Sequence, residues 1–449
     1  MAENYILLDR VTLTVAAASV TFSNIPQSGY TDLKIVASTR DNRSANASDF
    51  LLNFNGVTTN LSFKRLYGDG SSAISTSGTT GEAGIEVAAN STANTFSNIE
   101  VYIPNYTSSN YKSWSADSVS ENNATTAYAQ LTAGLWSSTA AITSITFTAE
   151  ASASFVQYST FSLYGLAAVG TTPAIAPKAS GGDIIKTDGT YWYHAFLSTG
   201  AFVPATNLTC DVLQVAGGGA GGTAAGGGGA GGVLAFASQA LTNGTSYTAT
   251  VGAGGAGLAT YGGPNSGSNS QFSSLTASVG GGGGGGYNGS AYVSGANGGS
   301  GGGSAWGTGN TYGTGTSGQG NNGGLGGQDS SGGVARNGGG GGGKGAAGGN
   351  GSIGTPPPGG AGVNTVTNWG ALSSVLTNTG LGASGYIAGG GGGSGASGAG
   401  GAGGSGGGGA GDATSPVSGT AGTGSGGGGG SSVSGSGGSG VIIIRYSAA

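Results

Sequence analysis

The second half of this 449-residue chain almost lacks charge. Beyond residue 200 only Asp211, Asp329, Arg336, Lys344, Asp412 and Arg445 ionise, and the formal net charge of the whole is −5. Nucleic-acid binding needs clustered cations to neutralise phosphate, so that partner is excluded. No run of 18 apolar residues exists, which excludes insertion of a helix into a membrane. A single cysteine, Cys210, excludes an internal disulfide framework; in LTCDVLQVA it reads as a buried strand thiol. A single histidine, His194, excludes paired-His metal sites and is the one residue a Ser-His-Asp relay could use, but its setting TYWYHAF predicts packing. The start, MAENYILLDRVTLTV, has Glu3 and Asp9 where a secretory signal is basic and then apolar. Synthesis in a cytosol, and release by a route other than secretion, is the expectation.

What replaces charge is glycine. Residues 1–200 hold 14 of the 105 glycines, and the remaining 91 fall in the last 249 positions. Their runs recur at 217–222, 226–232, 252–257, 280–286, 298–303, 338–349, 389–411 and 419–440. Such a composition is by base rate disordered, and it has no sustained Gly-X-Y register for collagen. Apolar strands, however, bracket the region: LTCDVLQVA before it and VIIIRY after it. We expect Val212, Leu213 and Val215 to pair near Ile442–Ile444 as a β base. The glycine runs then read as polyglycine-II rods, alone without internal hydrogen bonds but able to exchange N–H···O and Cα–H···O bonds when bundled. Side chains beyond Ala or Ser would force the rods apart. The long runs 389–411 and 419–440 are each expected to fold back into two rods.

Residues 5–170 read as short strands between turn clusters, among them RVTLTV, SVTF, DLKIVAS, FLLNFNG, IEVYIP and FVQYSTFSLYGL. The expected fold is all-β: an antiparallel, jelly-roll-like β-sandwich over 1–168, then a polyglycine-II bundle capped by short strands. Boundaries are expected at a 169–183 linker, basal strands over 184–216, the bundle with its loops over 217–440 and a closing strand over 441–449.

Sites of chemistry are scarce. Gly-x-Gly-x-x-Gly strings carry no information in this composition, and GGGGGGKG around Lys344 has Gly345 where a P-loop needs Ser or Thr. Glycosidase work needs opposed carboxylates. Glu82 with Glu86 is one pair available, and surface acids are the ordinary reading. No catalytic residue, metal ligand or cofactor is expected. The segments between rods hold the aromatic residues Tyr261, Tyr287, Tyr292, Trp306, Tyr312, Trp369 and Tyr386, interleaved with Ser, Asn and Gly as in adaptable recognition loops. The six other than Tyr261 are the candidate receptor-binding residues. Trp114 and Trp136 read as core or subunit-interface residues in preference to sugar platforms.

The stretch NIEVYIPNYTSSNYKSWSADSVSENNATTAYAQLTAGLWSS, with FVQYSTFSLYGL, resembles a sandwich module of marine-phage virion proteins. The blocks VLQVAGGGAGGTAAGGGGAGGVL, LTNGTSYTATVGAGGAG, NSGSNSQFSSLTASVGGGGGG and SGVIIIRY resemble the glycine-rich domain of phage tail-fibre adhesins, in the same order. In the adhesins of T-even-like phages such motifs form a polyglycine-II bundle whose apical loops touch the host. The resemblance implies a non-enzymatic virion adhesin, trimeric as fibres commonly are. Its partners would be a bacterial surface protein or glycan and neighbouring tail proteins. A structural virion decoration without receptor binding is the main alternative. An ice-binding protein is the remote one, lacking the expected Thr ladders and disulfides.

Overall fold

The computed structural model describes residues 5–121, 126–167, 176–262, 264–307, 309–327, 336–352, 354–379, 381–382, 384–396 and 398–448. The chain forms two compact units: Met1–Pro177 with Asp183–Trp192 and Ser447–Ala449, and Lys178–Gly182 with Tyr193–Tyr446.

The first unit is a β-sandwich. Its strands are β1 (Tyr5–Thr12), β2 (Ser19–Phe22), β3 (Tyr30–Ser38), β4 (Ala47–Phe54), β5 (Leu61–Gly68), β6 (Ala73–Gly78), β7 (Glu82–Val87), β8 (Asn98–Ile103), β9 (Lys112–Val119), β10 (Ala129–Trp136), β11 (Ile145–Ala149) and β12 (Thr160–Ala167). One sheet runs β1-β12-β3-β8-β9-β10-β5-β6, and the other runs β2-β11-β4-β7. The paired strands are antiparallel throughout. Alternation decides which residues face inward. Along β9, Trp114 and Ala116 are buried while Ser113, Ser115 and Asp117 are exposed. Phe50 and Phe147 of one sheet meet Phe161 of the other at ring separations of 6.2 and 5.8 Å. Such aromatic pairs add about 0.5–1.5 kcal/mol beyond area burial. Trp114 and Trp136 are core residues, each 2% exposed against Phe54. At Gly134 a Cβ would meet the Trp114 ring at 1.9 Å, so the indole occupies the space a side chain would need.

The second unit begins with β13 (Ala179–Ser180), whereas β14 (Ile184–Thr187) and the start of β15 (Tyr191–Phe196) belong to the first unit. The second unit then takes the rest of β15, β16 (Gly200–Pro204), β17 (Leu208–Val215), β18 (Val233–Leu241), β19 (Tyr247–Thr250) and β20 (Gln271–Phe272). It ends with β21 (Thr365–Val366), β22 (Gly370–Ala371), α1 (Leu372–Thr379) and β23 (Val441–Ser447). β17 pairs with β23 as the apolar pattern predicts: Val212 opposite Ile444, Leu213 opposite Ile443, Val215 opposite Val441. The segment 352–388, between two glycine runs, contains α1. Leu372, Val375, Leu376 and Thr379 are all at most 2% exposed, the i, i+3, i+4, i+7 stripe of an amphipathic helix.

Between these strands the glycine segments form a bundle with a three-residue hydrogen-bond period. Gly217 donates to Ser268 O, Gly218 to Gly438 O and Gly219 to Gly229 O. One turn along, Ala220 donates to Asn265 O, Gly221 to Gly435 O and Gly222 to Gly226 O. The carbonyls of Gly217, Gly218 and Gly219 accept from Gly281, Gly255 and Gly427 on three further segments. Each residue advances a third of a turn, so a rod with three donor and three acceptor neighbours is surrounded by six others. This is polyglycine-II geometry, in which a lone rod has no hydrogen bonds and a packed one satisfies every amide. The same cycle runs through 226–232, whose amides reach 339–342, 424–427 and 279–282. Gly228 and its neighbours are buried. Run 419–440 turns at 421–424 and then pairs 425–430 with 434–440, as Gly435 and Gly438 donate to Gly428 O and Ser425 O, whereas run 389–411 folds into three passes, not two. Gly401 and Gly404 bond back to Gly393 and Gly390, then Gly408 and Gly411 bond back to Gly404 and Gly401. The second reversal is possible because Gly406 and Gly407 both adopt φ of +96°, which side chains disfavour.

Candidate functional site

Each rod has one end at the β17–β23 strands and one end away from them. Segment 217–222 leaves Val215 and turns at Thr223–Ala225; segment 226–232 returns to Val233. Segment 280–286 lies parallel to 217–222, since Gly281 and Gly284 donate to Gly217 and Ala220, so it also ends at the far end. There Gly286 hands the chain to Tyr287-Asn288-Gly289-Ser290-Ala291-Tyr292. Asn288 Oδ1 accepts from the amides of Ser290 and Ala291 at 3.1 and 2.9 Å, and Gly289 takes φ of +92°. This tight turn sets Tyr287 opposite Tyr292.

Four rings meet on that end. Tyr287 contacts Tyr261 edge-on at 5.2 Å and Tyr292 at 5.1 Å, and Tyr292 contacts Trp306 at 6.4 Å. The floor is the turn between the first two rods. Ala224, Ala225 and Ala305 pack under Trp306, and Thr223 Oγ1 donates to Tyr287 O at 3.3 Å and accepts from the Gly262 amide at 3.4 Å. Trp306 is 9% exposed, and its Nε1–H has no hydrogen-bond partner among the described residues. Tyr261 and Tyr292 are 56% and 40% exposed. Asn310 Nδ2 donates to Trp306 O at 3.1 Å, holding the loop that carries the indole. None of the residues in 258–262, 287–293 or 305–307 is ionisable except through tyrosine. The result is a rigid, uncharged aromatic step with amide and hydroxyl groups around it.

A family model described as a glycine-rich domain matches residues 197–447, more than half of the sequence. The chain belongs to that glycine-rich domain family. Comparison with curated proteins finds no match.

Within the glycine-rich domain the six aromatic candidates do not share one place. Tyr287, Tyr292 and Trp306 converge at the far end, joined by Tyr261. Tyr312 is half-buried on segment 311–315, and no ring contact joins it to the cluster among the described residues. Trp369 and Tyr386 lie at the strand end. Trp369 is 5% exposed, with the Arg445 guanidinium 4.4 Å from its ring centre. Arg445 also grips Asp211 Oδ2 through Nε and Nη2 at 3.0 and 2.9 Å and donates to Asn368 O. Trp369 therefore packs the base. Tyr386 is half-buried beside the bridge between Val363 and Ile387.

The ionisable residues weighed for chemistry are tied up. His194 is fully buried, Nδ1 paired with Gly181 O at 2.6 Å and Nε2 with the Tyr446 hydroxyl at 2.9 Å; burial pushes its pKa down to about 4. Burial pushes the Cys210 thiol up to about 12. Lys344 Nζ donates to Gly318 O. Asp329 lies outside the described residues. Glu82 and Glu86 are not surface acids: they are 1% and 0% exposed. Glu82 is paired with Arg65 at 2.5 Å, whereas both carboxyl oxygens of Glu86 lack a hydrogen-bond partner. No segment spacing signalled this, because β7 (EAGIEV) does not alternate and is buried along its whole length. On the sandwich, Leu66 and Leu131, opposite each other on β5 and β10, are 52% and 61% exposed beside depressions of about 450 and 480 Å³.

Proposed function

We propose that this protein is a non-enzymatic phage adhesin of the tail-fibre kind, and that it holds the aromatic step at the far end of its polyglycine bundle against a bacterial surface receptor. One observation carries the reading: Tyr261, Tyr287, Tyr292 and Trp306, drawn from three separate loops, meet on one end, with Tyr261 and Tyr292 exposed. Aromatic rings supply large contact area with little loss of side-chain freedom, and Ser, Asn and Gly supply adaptable hydrogen bonds. A bundle whose amides are bonded to six neighbours does not yield when the step is pressed on a partner, which lowers the ordering cost of binding. The sandwich would attach the protein to other virion tail proteins or to further copies of itself, through the outer face bearing Leu66 and Leu131. Virion localisation belongs to the same proposal.

The test is binding of the full-length protein to a panel of candidate host cells, with Tyr261→Ser and Tyr292→Ser as variants. Each is expected to weaken binding at least tenfold, about 1.4 kcal/mol, without changing the melting temperature. Trp369→Ala should lower stability and leave intrinsic binding intact. Cell binding that survives both tyrosine substitutions together would refute the assignment of the far end.

A further inference from the structure

One end of the sandwich gathers five side-chain oxygens that are buried and unpartnered: Thr39 Oγ1, Asp41 Oδ2, Ser48 Oγ, and Oε1 and Oε2 of Glu86. The backbone brings their residues together. Ser48 on β4 stands directly opposite Glu86 on β7, and the Asp41 amide donates to Val87 O at 3.0 Å. Thr39 directly follows β3 of the other sheet. The Ser48 hydroxyl sits beside the Asp41 carboxyl, the Thr39 hydroxyl sits beside the Glu86 carboxyl, and the two carboxyls are near enough to repel. None of these neighbours reaches hydrogen-bonding geometry.

The nearby cations are committed elsewhere. Arg43 is paired with Glu150, and Arg65 bridges Asp49 and Glu82 at 2.7 and 2.5 Å. Arg40 donates to the carbonyls of Ala89, Ser91, Thr92 and Thr95. Asp41 keeps only the Arg43 amide on Oδ1 and a distant attraction to its guanidinium. Glu86 is thus left without a counter-charge, and the one cation that attracts Asp41 is already paired with Glu150. Buried polar atoms are nearly always satisfied, and a cluster of unsatisfied ones calls for a missing partner.

We propose that Thr39, Asp41, Ser48 and Glu86 form a calcium site inside the sandwich, with Glu86 bidentate. Two carboxylates balance a divalent cation. An oxygen-only donor set with neither nitrogen nor sulfur favours a hard ion. No three His, Cys, Asp or Glu side chains form a ligand group among the described residues. The set is therefore mixed carboxylate and hydroxyl, completed by water or backbone carbonyls, and calcium tolerates that irregular geometry where magnesium demands a near-ideal octahedron. A low ligand charge puts the affinity in the weak class, Kd about 10⁻⁴ M.

The full-length protein, stripped with a chelator, is titrated with CaCl2 by calorimetry and melted with and without about 10 mM calcium or magnesium. One calcium per chain is expected. The melting temperature should rise by about 5 °C or more at a hundredfold excess over Kd, with a smaller response to magnesium. Glu86→Gln should abolish both signals while melting, without metal, no lower than the stripped wild type. If that variant does not fold, Ser48→Ala serves instead, with an expected loss of about tenfold in affinity on the scale of one ligand-shell contact. Absence of heat and of any melting shift in the wild type overturns the site. Undiminished binding by the variants does the same. A magnesium response equal to that of calcium overturns the choice of a large ion.

Discussion

Substituting Gly228 by alanine tests the packing on which the bundle depends. Gly228 lies mid-rod; its amide donates to Gly427 O at 2.9 Å and its carbonyl accepts from Gly391 at 2.8 Å. A Cβ at this position would lie 2.2 Å from Gly219 O, 2.7 Å from Ala220 O and 2.8 Å from Ala220 C. All three are backbone atoms held by their own hydrogen bonds, so none can swing aside as a side-chain tip would. Overpacking in a well-filled interior costs about 1–3 kcal/mol. Pushing one rod away weakens at least two inter-rod bonds, each contributing about 0.5–1.5 kcal/mol. Against this, the reduced freedom of the unfolded chain returns about 0.4–1 kcal/mol. The net is a loss of about 3 kcal/mol, concentrated in the bundle. The assay is amide hydrogen exchange across 216–233, where such a loss appears as about a hundredfold faster opening. Ala230→Gly on the same rod is the control, because it removes a methyl and should cost no more than about 1 kcal/mol. Equal protection in Gly228→Ala and wild type would refute close contact between backbones.

Other consequences can be measured directly. His194 has a folded pKa near 4, below its unfolded value, so between about pH 6.5 and 4 the unfolded chain binds the extra proton and stability falls as pH falls. At pH 5 that loss is about 2 kcal/mol, and a urea midpoint that drops no more in wild type than in His194→Gln between pH 7 and 5 would contradict it. Gly134→Ala should destabilise the sandwich by about 3 kcal/mol, since the rigid Trp114 indole fills the space and is itself packed on Phe54; the melting temperature reads it. Asp211→Asn removes the carboxylate from a half-buried, two-pronged contact with Arg445 and should cost about 1–3 kcal/mol in urea denaturation.

The aromatic candidates show where reading the chain alone stops. Tyr287 and Tyr292 were legible because a glycine run leads straight into YNGSAY, a turn whose Asn and Gly fix its geometry locally. Trp369 looked alike in composition, yet it stacks on Arg445, a partner 76 residues on in sequence. Tyr261 gains its weight only from meeting Tyr287. Helix α1 was obscured by its Ser and Thr content, although its apolar stripe is regular. Strands β9 and β10 alternate with so many small residues that periodicity barely marks them, and their inward tryptophans become intelligible only against Phe54.

The sequence alone determined, through apolar strands at both ends of nearly uncharged glycine runs, that backbones without side chains would pack against one another, because only there can their amides be satisfied. It could not determine which loop reaches which end. Direction along the bundle reverses at every turn, so a single extra reversal such as that at Gly406–Gly407 changes the end at which all later loops emerge. The burial of Glu86 beside Asp41 likewise arose only when two sheets closed over strands whose sequences carry no mark of it. Contacts between distant segments have no local signature, and they decided both sites.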